Sequence, residues 1–231
     1  MTPDAEVVPA AVRLPHLGRR REGGFSMLEL ALVLLVAGVL TAGGVALMSS
    51  ANNQSQSAAQ IATANSVKAA ILEFVLAQRR LPCPADGDGQ EDCSSGHLSG
   101  TVPYLALGMT VPVASSANPP LRYAVMRFPG SADLTNPIST AGPFESTIAS
   151  AGVVTDGSFE LVSALRWAAM QPLTTGQPYV TTAGAGCGSA ASDVAFALSY
   201  APSGDGNMCF AQTDTWVSVD TLLTLAYQNI M

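Results

Sequence analysis

Between residues 30 and 48 the chain runs for 19 residues without a charged side chain, built mostly from Leu, Val, Ala and Gly. No other feature of the sequence restricts the fold so strongly. As a helix rising 1.5 Å per residue the run is about 28 Å long, close to the ~30 Å hydrocarbon thickness of a bilayer. Just upstream stand Arg19, Arg20 and Arg21, which by the positive-inside rule hold that end in the cytoplasm. Glu29 sits at the mouth of the run. A carboxylate there opposes insertion, so a plain anchor has no use for it and it marks a functional position. Residues 25–48 are therefore expected to cross a membrane once. Residues 1–24, with Pro3, Pro9, Pro15 and the arginine cluster, read as a cytoplasmic leader peptide that is removed.

No proline occurs between Phe25 and Leu81. Beyond Met48 the pattern turns amphipathic: Ile61, Ala64, Val67, Ile71, Phe74 and Val75 recur at spacings of three and four, with Asn53, Gln56, Gln60, Thr63, Ser66 and Glu73 on other faces. One helix over residues 25–80 is predicted, about 80 Å long and stopped by Pro82. Its weak points are Gly38, Gly43 and Gly44. Residues 81–231 form a globular head. Short apolar or β-branched runs at 121–128, 158–162, 179–182, 194–200 and 216–219, bounded by Gly, Pro, Asn and Asp, predict strands. The run at 193–200 reads as the central strand and 203–207 as a hairpin turn. Residues 159–170 read equally as a short helix, and 129–157 as a Ser/Thr/Gly/Pro-rich excursion. The fold class is α+β: a long N-terminal helix, transmembrane in its first half and amphipathic in its second, packed on an antiparallel β-sheet head with irregular disulfide-bonded loops.

The junction Gly24-Phe25, a glutamate four positions later, the basic leader and the uncharged helix together resemble the N-terminal signal of type IV pilins and type II secretion pseudopilins. In that family a membrane peptidase cuts after the glycine and methylates the new N-terminal residue. The resemblance thus implies processing between Gly24 and Phe25, with methylation of Phe25 and Glu29 as the assembly residue that sets subunit register. It implies as partners other pilin or pseudopilin subunits through the N-terminal helix, the prepilin peptidase, an inner-membrane assembly platform and the lipid bilayer. It implies a bacterial inner-membrane location with the head periplasmic, followed by a fibre in the periplasm or at the cell surface. The phrases at residues 80–84, 102–108 and 121–125 resemble a set that recurs in such proteins. Where many members carry a Trp-Gly-Asn turn before the last phrase, this chain has Ser116-Ala117-Asn118-Pro119-Pro120. The expected function is structural, as a subunit of a type IV pilus or secretion pseudopilus; low charge and an irregular head favour a minor subunit. The rival is a non-polymerising, membrane-tethered periplasmic binding or catalytic domain, which has no reason to keep Glu29.

Four cysteines, Cys83, Cys93, Cys187 and Cys209, all follow the span. An even number there fits an oxidising compartment. Three pairings are open, of which 83–93 and 187–209 close the shorter loops. Zinc–thiolate binding lacks the close Cys-x-x-Cys or His partners it needs. Asp86, Asp88, Glu91 and Asp92 lie within seven residues that also hold Gly87 and Gly89. That alternation of carboxylates around a tight turn resembles a calcium loop without its distal glutamate, against the plainer reading of a solvated acidic turn; no other cofactor is expected. Enzyme readings find no support. His97 is the only histidine outside the leader and reads as an exposed loop residue. No nucleophile elbow, Walker loop or dinucleotide fingerprint is present. Trp167 and Trp216 read as packing residues. Residues 25–231 keep six basic and 14 acidic residues, a balance of −8, so no nucleic acid is expected as a partner.

Overall fold

The computed structural model describes residues 26–94, 96–112, 119–128, 133–136, 157–181, 187, 190–200 and 208–229, with the side chains of all of these except 40–51 and 158. The leader, the Gly24-Phe25 junction, the turn expected at 203–207 and most of the 129–157 excursion lie outside the described residues. Helix α1 runs Met27–Gln78. Ser26 caps it: the Glu29 N–H donates to the Ser26 hydroxyl at 3.2 Å and to the Ser26 carbonyl at 3.0 Å. Ser26 and Glu29 thus have the spacing of a capping box, in which the first-turn glutamate also favours the helix start. The helix ends where Arg79 turns left-handed, at φ 57°, a common way to release the chain from a helix.

The chain divides into two units, Met1–Asn53 and Gln54–Met231. In the first, Met27, Leu28, Leu30, Leu32, Val33, Leu34, Leu35, Val36 and Val39 are all exposed. The expected transmembrane first half, and with it the single-pass inner-membrane placement, is corrected here: among the described residues no helix is long and apolar enough to cross a membrane.

In the second unit α1 buries a stripe, Ala64, Val67, Ile71 and Val75, one residue per turn on one face. Ile61, expected on the same stripe, is 58% exposed. The stripe joins a core with Leu81, Leu121, Tyr123, Phe196, Leu198 and Leu222. Six strands follow: β1 Ser99–Thr101, β2 Arg122–Val125, β3 Tyr179–Thr181, β4 Ala190–Ser199, β5 Cys209–Phe210 and β6 Thr215–Ser218. Strand β4 is central. It pairs antiparallel with β2 through Ala124 and Ala197, with β6 through Trp216 and Ala197, and with β3 through Tyr179 and Asp193. The sheet is not the expected antiparallel one but mixed, because β5 lies parallel to β3, Cys209 beside Tyr179. Cys187, six residues beyond β3, is bonded to Cys209, which ties the two-residue β5 to the chain leaving β3.

Two further helices complete the described head. Helix α2, Ser158–Ala169, decides the ambiguity at 158–170. Its buried Leu161, Leu165 and Ala168 follow the helical spacing, and Trp167 meets the Phe128 ring edge-on at 4.7 Å. Helix α3, Val219–Asn229, begins where β6 ends and buries Val219, Leu222 and Ala226. The Ser218 hydroxyl accepts the Thr221 N–H at 3.1 Å, a serine cap that starts this helix within the run read as a strand.

Candidate functional site: the disulfide-ringed loop after the long helix

Leaving α1, the chain enters a loop that returns to the sheet at β1, and nearly every polar group in it is committed. Cys83 is bonded to Cys93 and Cys187 to Cys209, with no free cysteine; these are the two shorter-loop pairings. Arg80 stacks over the Phe74 ring at 4.9 Å and reaches across the ring closed by the first disulfide. Its two terminal nitrogens donate to the two Glu91 oxygens at 2.8 Å each, a bidentate fork. Glu91 also accepts the Cys83 N–H at 2.8 Å. Burial pushes the Glu91 pKa upward, but the Arg80 and Cys83 hydrogen bonds and the Arg80 charge outweigh it and hold the carboxyl below its ordinary range. The hydrogen bond to Glu91 in turn raises the Arg80 pKa, against burial.

Two backbone anchors hold the loop to the sheet. Ala85 and Thr101 exchange N–H···O bonds of 2.9 and 2.7 Å. Gly100 permits this approach, since a Cβ there collides with the Ala85 carbonyl oxygen and lies 3.2 Å from the Pro84 Cβ. Beneath, the buried Tyr123 hydroxyl donates to the Pro82 carbonyl at 2.9 Å, and burial drives its pKa well above the usual phenol value.

The other side of the loop is gathered by Arg127, a buried guanidinium that sequence reading did not single out. Its Nε and one Nη donate to Asp133, the closest contact being 3.0 Å. The remaining donors go to the carbonyls of Cys93, Ser94 and His97 at 3.3, 3.0 and 3.0 Å. All five N–H groups are thereby used. Asp133 accepts as well from the N–H and hydroxyl of Thr135. The only sequence signal for the pair was two opposite charges six residues apart, which is no signal without the fold.

The four residues read as a calcium loop do not converge. Glu91 is held by Arg80, and Asp88 caps its own turn by accepting the Gln90 N–H at 2.8 Å. Only Asp86 and Asp92 come together, and they do so around His97, whose Nδ1 lies 3.4 and 3.3 Å from their carboxylate oxygens. The second cluster of potential ligands, Cys83, Cys93 and Glu91, offers no thiolate, because both sulfurs are in the disulfide. Glu29, by contrast, lies on the exposed first turn of α1. Trp216 packs against the smaller cluster of Ala124, Val180, Val194, Ala197 and Phe210.

A cavity of about 200 Å³ opens beside Ile61, Ala64, Leu198 and Tyr200. Its one carboxylate, Asp214, accepts hydrogen bonds from the Ser199 hydroxyl and the Ala211 N–H. Compared with protein-family models, with curated protein sequences and with solved structures, the chain matches none.

Proposed function

We propose that this protein is a structural subunit, of the type IV pilin or secretion pseudopilin kind, cut between Gly24 and Phe25 by a prepilin peptidase and assembled with other subunits through α1. The observation that carries this reading is the exposure of large apolar side chains at nine positions from Met27 to Val39, five of them in a row from Leu32 to Val36. Successive helical positions lie about 100° apart, so these side chains cover the whole circumference and not one stripe. A single docking partner covers one side of a helix; neighbours on every side are what a bundle of identical helices supplies. The two disulfides fit a head that works in an oxidising compartment, and its committed polar groups fit a structural role.

Glu29 has two distinguishable duties in this reading. As the third helical position after the Ser26 cap it takes the capping-box place at the helix start, which Glu and Gln fill alike. As a carboxylate inside a packed bundle it needs a counter-charge, and the new α-amino group on Phe25 of a neighbouring subunit supplies one, which sets axial register. Glu29→Gln keeps the polarity and loses the charge, while Glu29→Leu loses both. With the register role, both variants are cleaved normally and both fail to enter fibres; with the local role, only Glu29→Leu is impaired. Mass spectrometry of the mature chain checks the processing step: the expected first residue is Phe25 carrying one methyl group, and recovery of an intact Met1 chain overturns it. Fibres purified from the cell surface or the periplasm and lacking this polypeptide overturn the assembly step.

A further inference from the structure

The loop after α1 presents three side chains of metal-ligand type in one place, from three different backbone anchors. Asp86 follows Ala85, which is locked to Thr101. Asp92 precedes the disulfide-bonded Cys93; its N–H donates to the Pro84 carbonyl at 2.9 Å, and its Oδ1 accepts the Ser94 N–H at 2.9 Å, which leaves Oδ2 turned to His97. His97 is held by its own backbone, its N–H on the Ser94 carbonyl at 3.3 Å and its carbonyl on Arg127. The loop is thus built before any ligand arrives.

His97 itself adds a separate observation. Its Nδ1 is shielded from solvent and has no hydrogen-bond partner, although oxygens of Asp86 and Asp92 lie at 3.4 and 3.3 Å. Both carboxylates thus lie within reach of one imidazole nitrogen, and the three side chains are close enough to share one bound atom.

We infer that Asp86, Asp92 and His97 form a binding site for a first-row divalent cation of the Zn2+ class, with a fourth position left to water. Ligand bonds of 2.0–2.1 Å in tetrahedral geometry place ligand atoms about 3.3–3.5 Å apart, which matches both His97 separations. Octahedral Mg2+ at 2.0–2.1 Å requires edges of about 2.9 Å, shorter than those seen. Ca2+ fits the edges but demands six to eight oxygens, whereas this site offers a nitrogen and two carboxylates. Imidazole selects Zn2+, Cu2+ and Ni2+ over the hard cations. The inference is independent of fibre assembly and needs neither the leader nor α1.

The test is titration of the full-length, disulfide-intact protein with Zn2+ in competition with a chromophoric chelator, and with Co2+ followed by its visible absorption. The expected result is one Zn2+ per chain, and the intense visible bands of four-coordinate Co2+. His97→Ala and Asp92→Asn should each weaken binding by at least about 100-fold, at or beyond the upper end of the ~10–100-fold typical of losing an outer-shell partner. Asp88→Asn should bind like wild type, since Asp88 stands outside the cluster. Peptide mapping of the Cys83–Cys93 bond in each variant verifies the fold, and His97→Gln replaces any variant that fails it. Absence of Zn2+ binding to the wild type, undiminished binding by His97→Ala, or displacement of Zn2+ by an equal concentration of Ca2+ each overturns the site.

Discussion

Residues 27–39 and residues 64–75 belong to one helix, yet their apolar side chains end in opposite surroundings. From Met27 to Val39 the large apolar residues are 46–92% exposed, while Ala64, Val67, Ile71 and Val75 are 0–5% exposed. The difference lies in pattern and not in hydrophobicity. In the second stretch the apolar residues fall on one face, with Asn65, Ser66 and Glu73 on others, so the core of the head buries it within the chain. In the first stretch they lie all round, and no single face of the same chain can cover them. The two ends of the helix differ likewise. A serine cap marks the start, the Ser26 hydroxyl accepting the Glu29 N–H, whereas a left-handed residue, a bidentate ion pair and a disulfide secure the exit.

The sharpest way to break this contrast is to delete methylenes from each half. Ile71→Ala is expected to cost about 2–5 kcal/mol in urea unfolding, the range for emptying a packed core position. Leu32→Ala should change unfolding by no more than about 0.5 kcal/mol while reducing self-association of the processed protein. A large loss of intrinsic stability from Leu32→Ala means that this half is covered within the chain after all. Next in size is the exit ring. Replacing both Cys83 and Cys93 by Ala is expected to cost about 2–3 kcal/mol, the loop-closure value for a ring of this length. A null result there assigns the fastening to Arg80 and Arg127.

Glu91→Gln should have a smaller effect, about 1–2 kcal/mol at neutral pH, since the Arg80–Glu91 pair keeps some solvent access. Its pH dependence carries a definite sign. Because the folded-state pKa of Glu91 lies below its ordinary value, its contribution is fully present above the unfolded carboxyl range, near pH 4–5. That contribution is lost as pH falls through the folded value. Acid unfolding followed by circular dichroism should therefore show a shallower decline in Glu91→Gln than in wild type below about pH 4. Identical slopes remove Glu91 from the acid response. A smaller effect than that of Glu91→Gln falls at the other end of the helix: Ser26→Ala should cost about 0.5–1 kcal/mol, seen as fraying of the first turn by hydrogen exchange.

How far the head was legible depended on whether each signal was local. The stripe Ala64, Val67, Ile71 and Val75 was visible because its spacing is a property of consecutive residues. The strand at 194–199 was visible as a run bounded by turn residues, and its central place in the sheet agrees with burial along its second half. Helix α3 was missed because its three buried residues, Val219, Leu222 and Ala226, are too few to outweigh the β-branched Thr215 and Val217 ahead of them. The acidic loop was read as one ligand set. Its carboxylates in fact divide among a turn, an ion pair and a histidine cluster, and that division depends on where Arg80 and His97 arrive.

The sequence by itself determined the long uninterrupted helix path, its two kinds of apolar pattern and the even set of cysteines, since these follow from proline positions, residue spacing and counting. Only the tertiary structure decided the rest: which carboxylate meets Arg80, that Arg127 gathers the carbonyls of Cys93, Ser94 and His97, and that β5 lies parallel to β3. Helix periodicity and loop closure are short-range, set by a few neighbouring residues. The partner of a buried charge or an edge strand is instead chosen by desolvation and packing among segments far apart in the chain. Arg127 and the carbonyl of Cys93 are 34 residues apart and acquire their relation only when the core between them has formed.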